Sequence, residues 1–249
     1  MPTRNRANST TKIAIVTGGS RGLGRSTVLS LAGRGVDSIF TYHANPAEAE
    51  KVTGLVTEAG RKAVALHLDT GDVRSFDSFV QRVREALAKL NADRFDYLVN
   101  NAGTSLHKAF DKTTEEELDQ IYNVHFKGVY FLTQKLLPLL RDGGRIVNIS
   151  SGLARFTIPG TSAYASVKGA VEVLTRYLAK ELGPRGIAVN TVAPGAIATD
   201  FSGGMVRDNP EVTIKGRSDP ASAEPRASMA RRSVSQFAAY FEKSWMKAV

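Results

Sequence analysis

The chain has 249 residues, 42% hydrophobic and 23% charged, with a formal net charge of +9, a balance that suits one globular domain with a sizeable core. Cysteine is absent, which excludes disulfides, thiol nucleophiles and thiolate metal sites. The four histidines (His43, His67, His107, His125) show no H-x-x-x-H spacing, so no metal site is expected.

Residues 1–11 read as a short disordered arm. Residues 12–17 (KIAIVT) form a β-branched run, the first predicted strand. It leads directly into Gly18-Gly19-Ser20-Arg21-Gly22-Leu23-Gly24 and then a helical segment to about Ala32. Strand, glycine turn and helix together make a phosphate cradle. Glycines let the backbone approach, and the N–H groups at the helix start face an anion. Residues 36–42 are the second strand. In a dinucleotide-binding sheet an acidic residue at this strand end holds the ribose of NAD. Here the end reads Thr41-Tyr42-His43, and Arg21 stands in the glycine turn. A missing acid beside a nearby base favours NADP(H) over NAD(H).

A helix is predicted over 48–60 and a third strand over 63–68, followed by Asp69-Thr70. Another helix spans 75–90. A fourth strand, 97–99, ends in Asn100-Asn101-Ala102-Gly103. Thr114-x-x-Glu117 reads as a capping box that opens one long helix. Its apolar stripe is Leu118, Ile121, Tyr122, His125, Val129 and Leu132. Gly143-Gly144 breaks the chain before a fifth strand, 145–149, which delivers Ser150-Ser151. A helix over 163–178, a turn over 183–186 and a sixth strand over 187–192 follow, ended by Pro194-Gly195. Strands alternating with helices define an α/β fold with a parallel, doubly wound sheet. Ligands of such sheets bind beyond the C-terminal strand ends. The glycine turn, Asp69-Thr70, Asn100 to Gly103, Ser150-Ser151 and Pro194-Gly195 all lie at such ends.

Tyr164 and Lys168 stand four apart on one helix, so both side chains share a face ~6 Å apart. A free tyrosine titrates near ~10 and is a poor acid or base at neutral pH. An ammonium one turn away is expected to stabilise the phenolate and lower that value. Ser151 could hydrogen-bond the same substrate oxygen. Tyr-x-x-x-Lys alone also fits two surface residues on an ordinary helix; the converging loops argue against that.

TGGSRGLG (17–24), Asp69, NNAG (100–103), Ser151 with Tyr164-x-x-x-Lys168, and VNTVAPG (189–195) resemble the short-chain dehydrogenase/reductase family. The likeness is closest to its 3-oxoacyl-carrier-protein-reductase-like and glucose-1-dehydrogenase-like members, and it covers about residues 12–201. It implies a single-domain Rossmann-type fold, NADPH or NADP+ as cofactor, and a homo-oligomer, dimer or tetramer. In that family pattern Tyr164 is the general acid in carbonyl reduction. Lys168 lowers its pKa and holds the nicotinamide ribose, and Ser151 orients the carbonyl. The cofactor contacts implied are Gly18, Ser20, Arg21, Gly22, Leu23 and Gly24 in the turn, and Tyr42, His43, Asp69 and Thr70 at the ribose and adenine end. Asn101, Ala102 and Gly103 border the adenosine. Pro194, Gly195, Ile197 and Thr199 join Tyr164 and Lys168 at the nicotinamide end.

Two departures from the family stand out. Its asparagine three residues before the glycine of the long helix, which helps relay protons to the lysine, is His125 here. His125 is expected either to carry the relay as a neutral imidazole or to be a hydrogen-bonded core residue. The second departure is residues 202–249. Residues 202–235 are rich in Ser, Pro, Arg and Gly or Ala, a last helix is expected over 233–245 (Val234, Phe237, Phe241, Trp245 on one face), and the family's final strand is expected to be missing.

The expected activity is NADPH-dependent reduction of a ketone or 3-oxoacyl carbonyl to an alcohol, with a small-molecule carbonyl or alcohol as partner. The competing reading is a non-catalytic dinucleotide-binding or scaffold protein that has lost turnover through its altered tail. No apolar run reaches the ~18 residues of a membrane span, and the polar N-terminus has no apolar signal region. A cytoplasmic protein without a membrane partner is therefore expected. The basic residues are spread along the chain with no run of five, which reads as a solvated surface and not as a nucleic-acid interface.

Overall fold

The computed structural model describes residues 11–208. Six strands form one parallel sheet: β1 (Ile13–Val16), β2 (Asp37–Tyr42), β3 (Ala63–His67), β4 (Phe95–Asn100), β5 (Leu140–Ile149) and β6 (Ala188–Val192). Their order is β3-β2-β1-β4-β5-β6, and every pairing is parallel. The chain winds outward from β1 to β3, then returns and winds the other way from β4. The reversal lies between β1 and β4, and a crevice opens there beyond the strand ends.

Alternation along the strands divides the core into two layers. Ile13, Ile15, Ile39, Leu98 and Ile146 face one layer, with α3 (Phe76–Lys89), α5 (Gly128–Leu136) and α6 (Ser162–Leu182). Ala14, Val16, Phe40, Val99 and Val147 face the other, with α1 (Gly22–Ala32) and α2 (Pro46–Glu58). Asn45 caps α2 by accepting from Glu48 N (3.1 Å), with Pro46 at the first helical position. The helix therefore starts two residues before the predicted 48.

Two sequence expectations are corrected. Gly143-Gly144 do not break the chain; β5 runs through them as a bulge. Phe95 pairs with Leu140 and Tyr97 with Arg145, so four β5 residues bulge opposite Asp96. Gly143 takes φ +73° to make the detour. The long helix after Thr114 is also not one α-helix. The capping box is present, with Glu117 N on Thr114 Oγ1 (3.3 Å) and Thr114 N on Glu117 Oε2 (3.0 Å), and it opens α4 (Glu115–Tyr122). A π-helical turn, Asn123–Lys127, then separates α4 from α5. The Gly128 N–H reaches back five residues to the Asn123 carbonyl. Gly128 is required there, because a Cβ would overlap the Thr70 carbonyl oxygen. Upstream of the turn the inward stripe holds only at Ile121: Leu118 and Tyr122 are exposed, while His125 and Leu132, in and beyond the turn, are buried.

Among the described residues the sheet ends at β6, which pairs with β5. The chain then makes short helical turns at Phe201–Gly204 and Met205–Asp208. The expectations of a last helix and of a missing final strand fall on residues outside those described. No helix among the described residues is long and apolar enough to cross a membrane.

Candidate active site

The predicted loops do converge on the crevice between β1 and β4. Thr17, at the end of β1, accepts from Asn101 N and Ala102 N (both 2.9 Å) through Oγ1. The Asn101 amide returns two hydrogen bonds, to Thr17 O (2.9 Å) and Gly18 O (3.1 Å). The glycine turn is thereby bolted to Asn101 and Ala102. Thr41 supports it from β2: Gly18 N donates to Thr41 Oγ1 (2.9 Å) and Gly19 N to Thr41 O (2.8 Å). A Cβ on Gly24 would overlap the Gly18 carbonyl, and one on Gly19 would overlap Phe40. The turn has no room for larger residues at these positions.

Arg21 occupies the N-cap position of α1 in an extended conformation. It makes no side-chain cap bond, and the first turn holds no acid. The N–H groups of that helix start are thus left without a side-chain acceptor, and the helix dipole is uncompensated. This is the arrangement a pyrophosphate would complete, so the residues present fit a dinucleotide. Leu23 and Ser20 flank the turn, and Ser20 is buried. Thr199 arches over it, with its Cβ within 3.8 Å of where a Gly22 side chain would begin. Ile197 is buried in the layer that holds α1 and α2. Gly152 N donates to Pro194 O (2.8 Å), which ties the Pro194-Gly195 loop to the Ser151 loop.

At the far end, Tyr42, His43, His67 and Asp69 cluster at the ends of β2 and β3. His43 Nε2 lies 3.9 Å from Asp69 Oδ2, and His67 packs between the rings of Tyr42 and His43. Asp69 Oδ1 accepts from Gly71 N (2.8 Å). Thr70 contributes its carbonyl to the contact with Gly128.

Ser151, Tyr164, Lys168 and His125 meet at the other end, all nearly buried (9%, 8%, 4% and 1% exposed). Burial pushes the Tyr164 hydroxyl up to about 12, with the nearby Ser151 side chain pulling it the other way. Burial draws Lys168 down to about 7. The expected lowering of the Tyr164 pKa by Lys168 is not found in this structure. The ammonium donates to Ile149 O (2.7 Å) and stands 5.7 Å from the centre of the Tyr164 ring, so burial outweighs it.

His125 is in the site, on the π-helical turn. Its Nε2 lies 2.8 Å from Thr104 O and 3.1 Å from Thr104 N. The shorter contact, to a carbonyl, assigns the proton to Nε2. Nδ1 is then a bare lone pair, buried and without a hydrogen-bond partner. Burial and, after it, the charge of Lys168 draw His125 down to about 3, so it is neutral at ordinary pH. Gly103 makes room for it; a Cβ there would overlap His125 Cε1.

Sequence reasoning missed a buried polar chain behind the site. Asn100 donates to Thr133 Oγ1 (3.0 Å) and Asn148 Oδ1 (2.8 Å), and Asn148 donates to Thr175 Oγ1 (2.9 Å). It links β4, β5, α5 and α6. The one available signal was Asn148, an amide inside an apolar strand. Among the described residues no cluster of His, Asp and Glu could hold a metal ion.

Comparison with known proteins agrees with this arrangement. The short chain dehydrogenase family model matches residues 12–210. The hydroxynaphthalene reductase-like protein Arp2 of Metarhizium brunneum is 37% identical over 191 residues, which cover 76% of this chain and 70% of the relative. A short-chain dehydrogenase from Burkholderia cenocepacia, solved in complex with NADP, superposes with a TM-score of 0.79 at 34% identity, covering 93% of this chain and 89% of that one. A blue fluorescent protein from a metagenomic library, solved with NADPH, gives 0.76 at 31%, covering 95% and 92%. The chain belongs to the short-chain dehydrogenase family, and is thus an oxidoreductase of the Rossmann type.

Proposed function

We propose that the chain is an NADPH-dependent carbonyl reductase. The observation that carries this reading is the burial of Ser151, Tyr164 and Lys168 together beyond the end of β5, with the Lys168 ammonium 5.7 Å from the centre of the Tyr164 ring. Reduced nicotinamide, when bound, supplies the hydride for the carbonyl carbon. Tyr164 gives the proton to the carbonyl oxygen. Its raised pKa keeps the hydroxyl protonated at neutral pH, which is the state a donor needs. Ser151 holds the same oxygen from the second side, which fixes the carbonyl against Tyr164. Lys168 stands ready for the nicotinamide ribose, and its ammonium supports the charge left on Tyr164. His125 Nδ1 takes the relay role of the family's asparagine, accepting from a water that leads to Lys168.

At the adenosine end, Arg21 and the absence of an acid at Tyr42 or His43 favour the 2′-phosphorylated cofactor. The substrate is a small-molecule ketone. Phe201 lies 6.3 Å from Tyr164, ring to ring, and gives the mouth an aromatic wall. The Metarhizium relative is named hydroxynaphthalene reductase-like, so flat aromatic substrates belong in the test. The working form is a homo-oligomer, which sedimentation would measure. NADPH oxidation screened over ketones, 3-oxoesters, quinones and hydroxynaphthalene-derived ketones tests the activity. Turnover above a Tyr164→Phe control is expected with at least one class, and none with any class would overturn the reading.

A further inference from the structure

Tyr164 and Lys168 are followed on the same stripe of α6 by an acid that the reaction just described does not use. Glu172 stands one turn further along, four residues from Lys168, with its side chain 16% exposed. The helix rises about 12 Å between Tyr164 and Glu172, too far for Glu172 to touch the reacting atoms. What it reaches is the end of β5. Lys168 Nζ donates to Ile149 O (2.7 Å), and Ser150 Oγ, itself buried, donates to Glu172 Oε1 (2.9 Å). Ser150 Oγ also lies 3.3 Å from Lys168 O, but the carboxylate is the closer and the stronger acceptor. Ser150 N donates to Val192 O (2.8 Å) on β6. Two successive residues of the strand end are thus fixed by two successive turns of α6, and the third is Ser151. Beyond it, Ala154 N donates to Ser151 O (3.0 Å) and Arg155 N to Gly152 O (2.9 Å). The chain folds back there, and Arg155 Nη2 comes 3.5 Å from Glu172 Oε2.

Resting on the reductase reading, we propose that Glu172 is a positioning residue for Ser151. Its two carboxylate oxygens grip the chain on either side of that serine, Oε1 through Ser150 and Oε2 through Arg155. The Ser151 hydroxyl itself accepts from Leu153 N (3.2 Å), a local bond that travels with the loop and fixes nothing outside it. The hydroxyl that must hold the carbonyl oxygen is therefore placed through its neighbours. A stabilising ion pair does not account for the arrangement. Arg155 is 62% exposed, and an exposed pair contributes little. The buried end is a charge-assisted hydrogen bond, stiffer than a neutral acceptor would give, and it is spent on the residue next to Ser151.

The test is NADPH oxidation with 2-tetralone, ethyl acetoacetate and 9,10-phenanthrenequinone as probes. It compares Glu172→Ala and Glu172→Gln in the native chain and in a Ser151→Ala background. Tyr164 remains in that background, which leaves a residual rate to measure. Glu172→Ala is expected to lower kcat about tenfold or more, the order that misplacing a reacting group costs, with NADPH affinity within about twofold of native. Glu172→Gln keeps an acceptor for Ser150 and is expected to recover most of the loss. In the Ser151→Ala background Glu172→Ala is expected to change kcat by less than about twofold, because the residue it positions is gone. Ser150→Ala removes the same bond from its other end and gives the same comparison where Glu172→Ala does not fold. An unchanged kcat in these variants, or an equal loss with and without Ser151, would overturn the positioning role and leave the reductase reading standing. No turnover of any probe by the native chain would overturn the reductase reading, and the role of Glu172 with it.

Discussion

His125 and Tyr164 pack edge to face, with ring centroids 5.2 Å apart and planes at 86°. The histidine thus buttresses the tyrosine while holding Thr104 with one nitrogen and leaving the other without a partner. Packing and relay are separable. His125→Asn keeps a polar group on the turn and should retain appreciable kcat. His125→Leu keeps the bulk and should lose kcat by one or more powers of ten with little change in melting temperature, in the ~10²–10⁴-fold range of proton-transfer groups. Leucine tolerated in both rate and stability would reduce His125 to a packing residue.

Tyr164→Phe removes the proton donor and little else. Turnover should disappear while NADPH binding, followed by fluorescence, stays within about threefold of native, because the ring and its contacts remain. Retained turnover would show that another group delivers the proton.

Lys168 makes stability depend on pH in a direction that can be worked out. Its folded pKa is about 7, against 10.5 ordinarily. Between those values the unfolded chain holds a proton that the folded chain lacks, so stability rises with pH across that window. Below about 7 both states are protonated and the contribution is flat. Lys168→Met abolishes the dependence. Urea midpoints at pH 7 and 9.5 should therefore favour the variant, relative to the native chain, more at pH 7 than at 9.5. Equal differences at both pH values would refute the burial argument. Lys168→Met should also impair both cofactor binding and rate.

Arg21→Ala should lose most of the preference for NADPH over NADH. One charge-assisted contact to phosphate is worth ~1.5–3 kcal/mol, about tenfold or more in affinity. Fluorescence titration with both nucleotides measures it, and an unchanged ratio would place the discrimination elsewhere.

The parts of this fold that were legible in the sequence are those with short-range causes. The glycine turn could be read because a Cβ at Gly24 would run into the Gly18 carbonyl, six residues back, which leaves no alternative residue there. The shared face of Tyr164 and Lys168 follows from helix geometry, and the Thr114–Glu117 box from its spacing. What stayed hidden depends on partners distant in sequence. Lys168 is turned by the Ile149 carbonyl, 19 residues away, and the chain from Thr133 to Thr175 closes only when four elements meet. The bulge at Gly143-Gly144 was misread because two glycines mark a break and a detour alike. The rule that a neighbouring ammonium lowers a phenol failed at Tyr164, because it takes no account of burial or of where the ammonium points.

The π-helical turn at Asn123–Lys127 holds one residue more than an α-helix would use there. Residues before and after it keep two different rotational frames, about 100° out of phase. That offset accounts for Leu118 and Tyr122 standing in solvent although they count correctly from Leu132. It also sets what this stretch will tolerate. A substitution within 123–127 alters one side chain. Deletion of a single residue would let the helix close in one frame and swing everything upstream, capping box included, around the axis. The geometry of the catalytic end is therefore protected by the length of this segment more than by its composition.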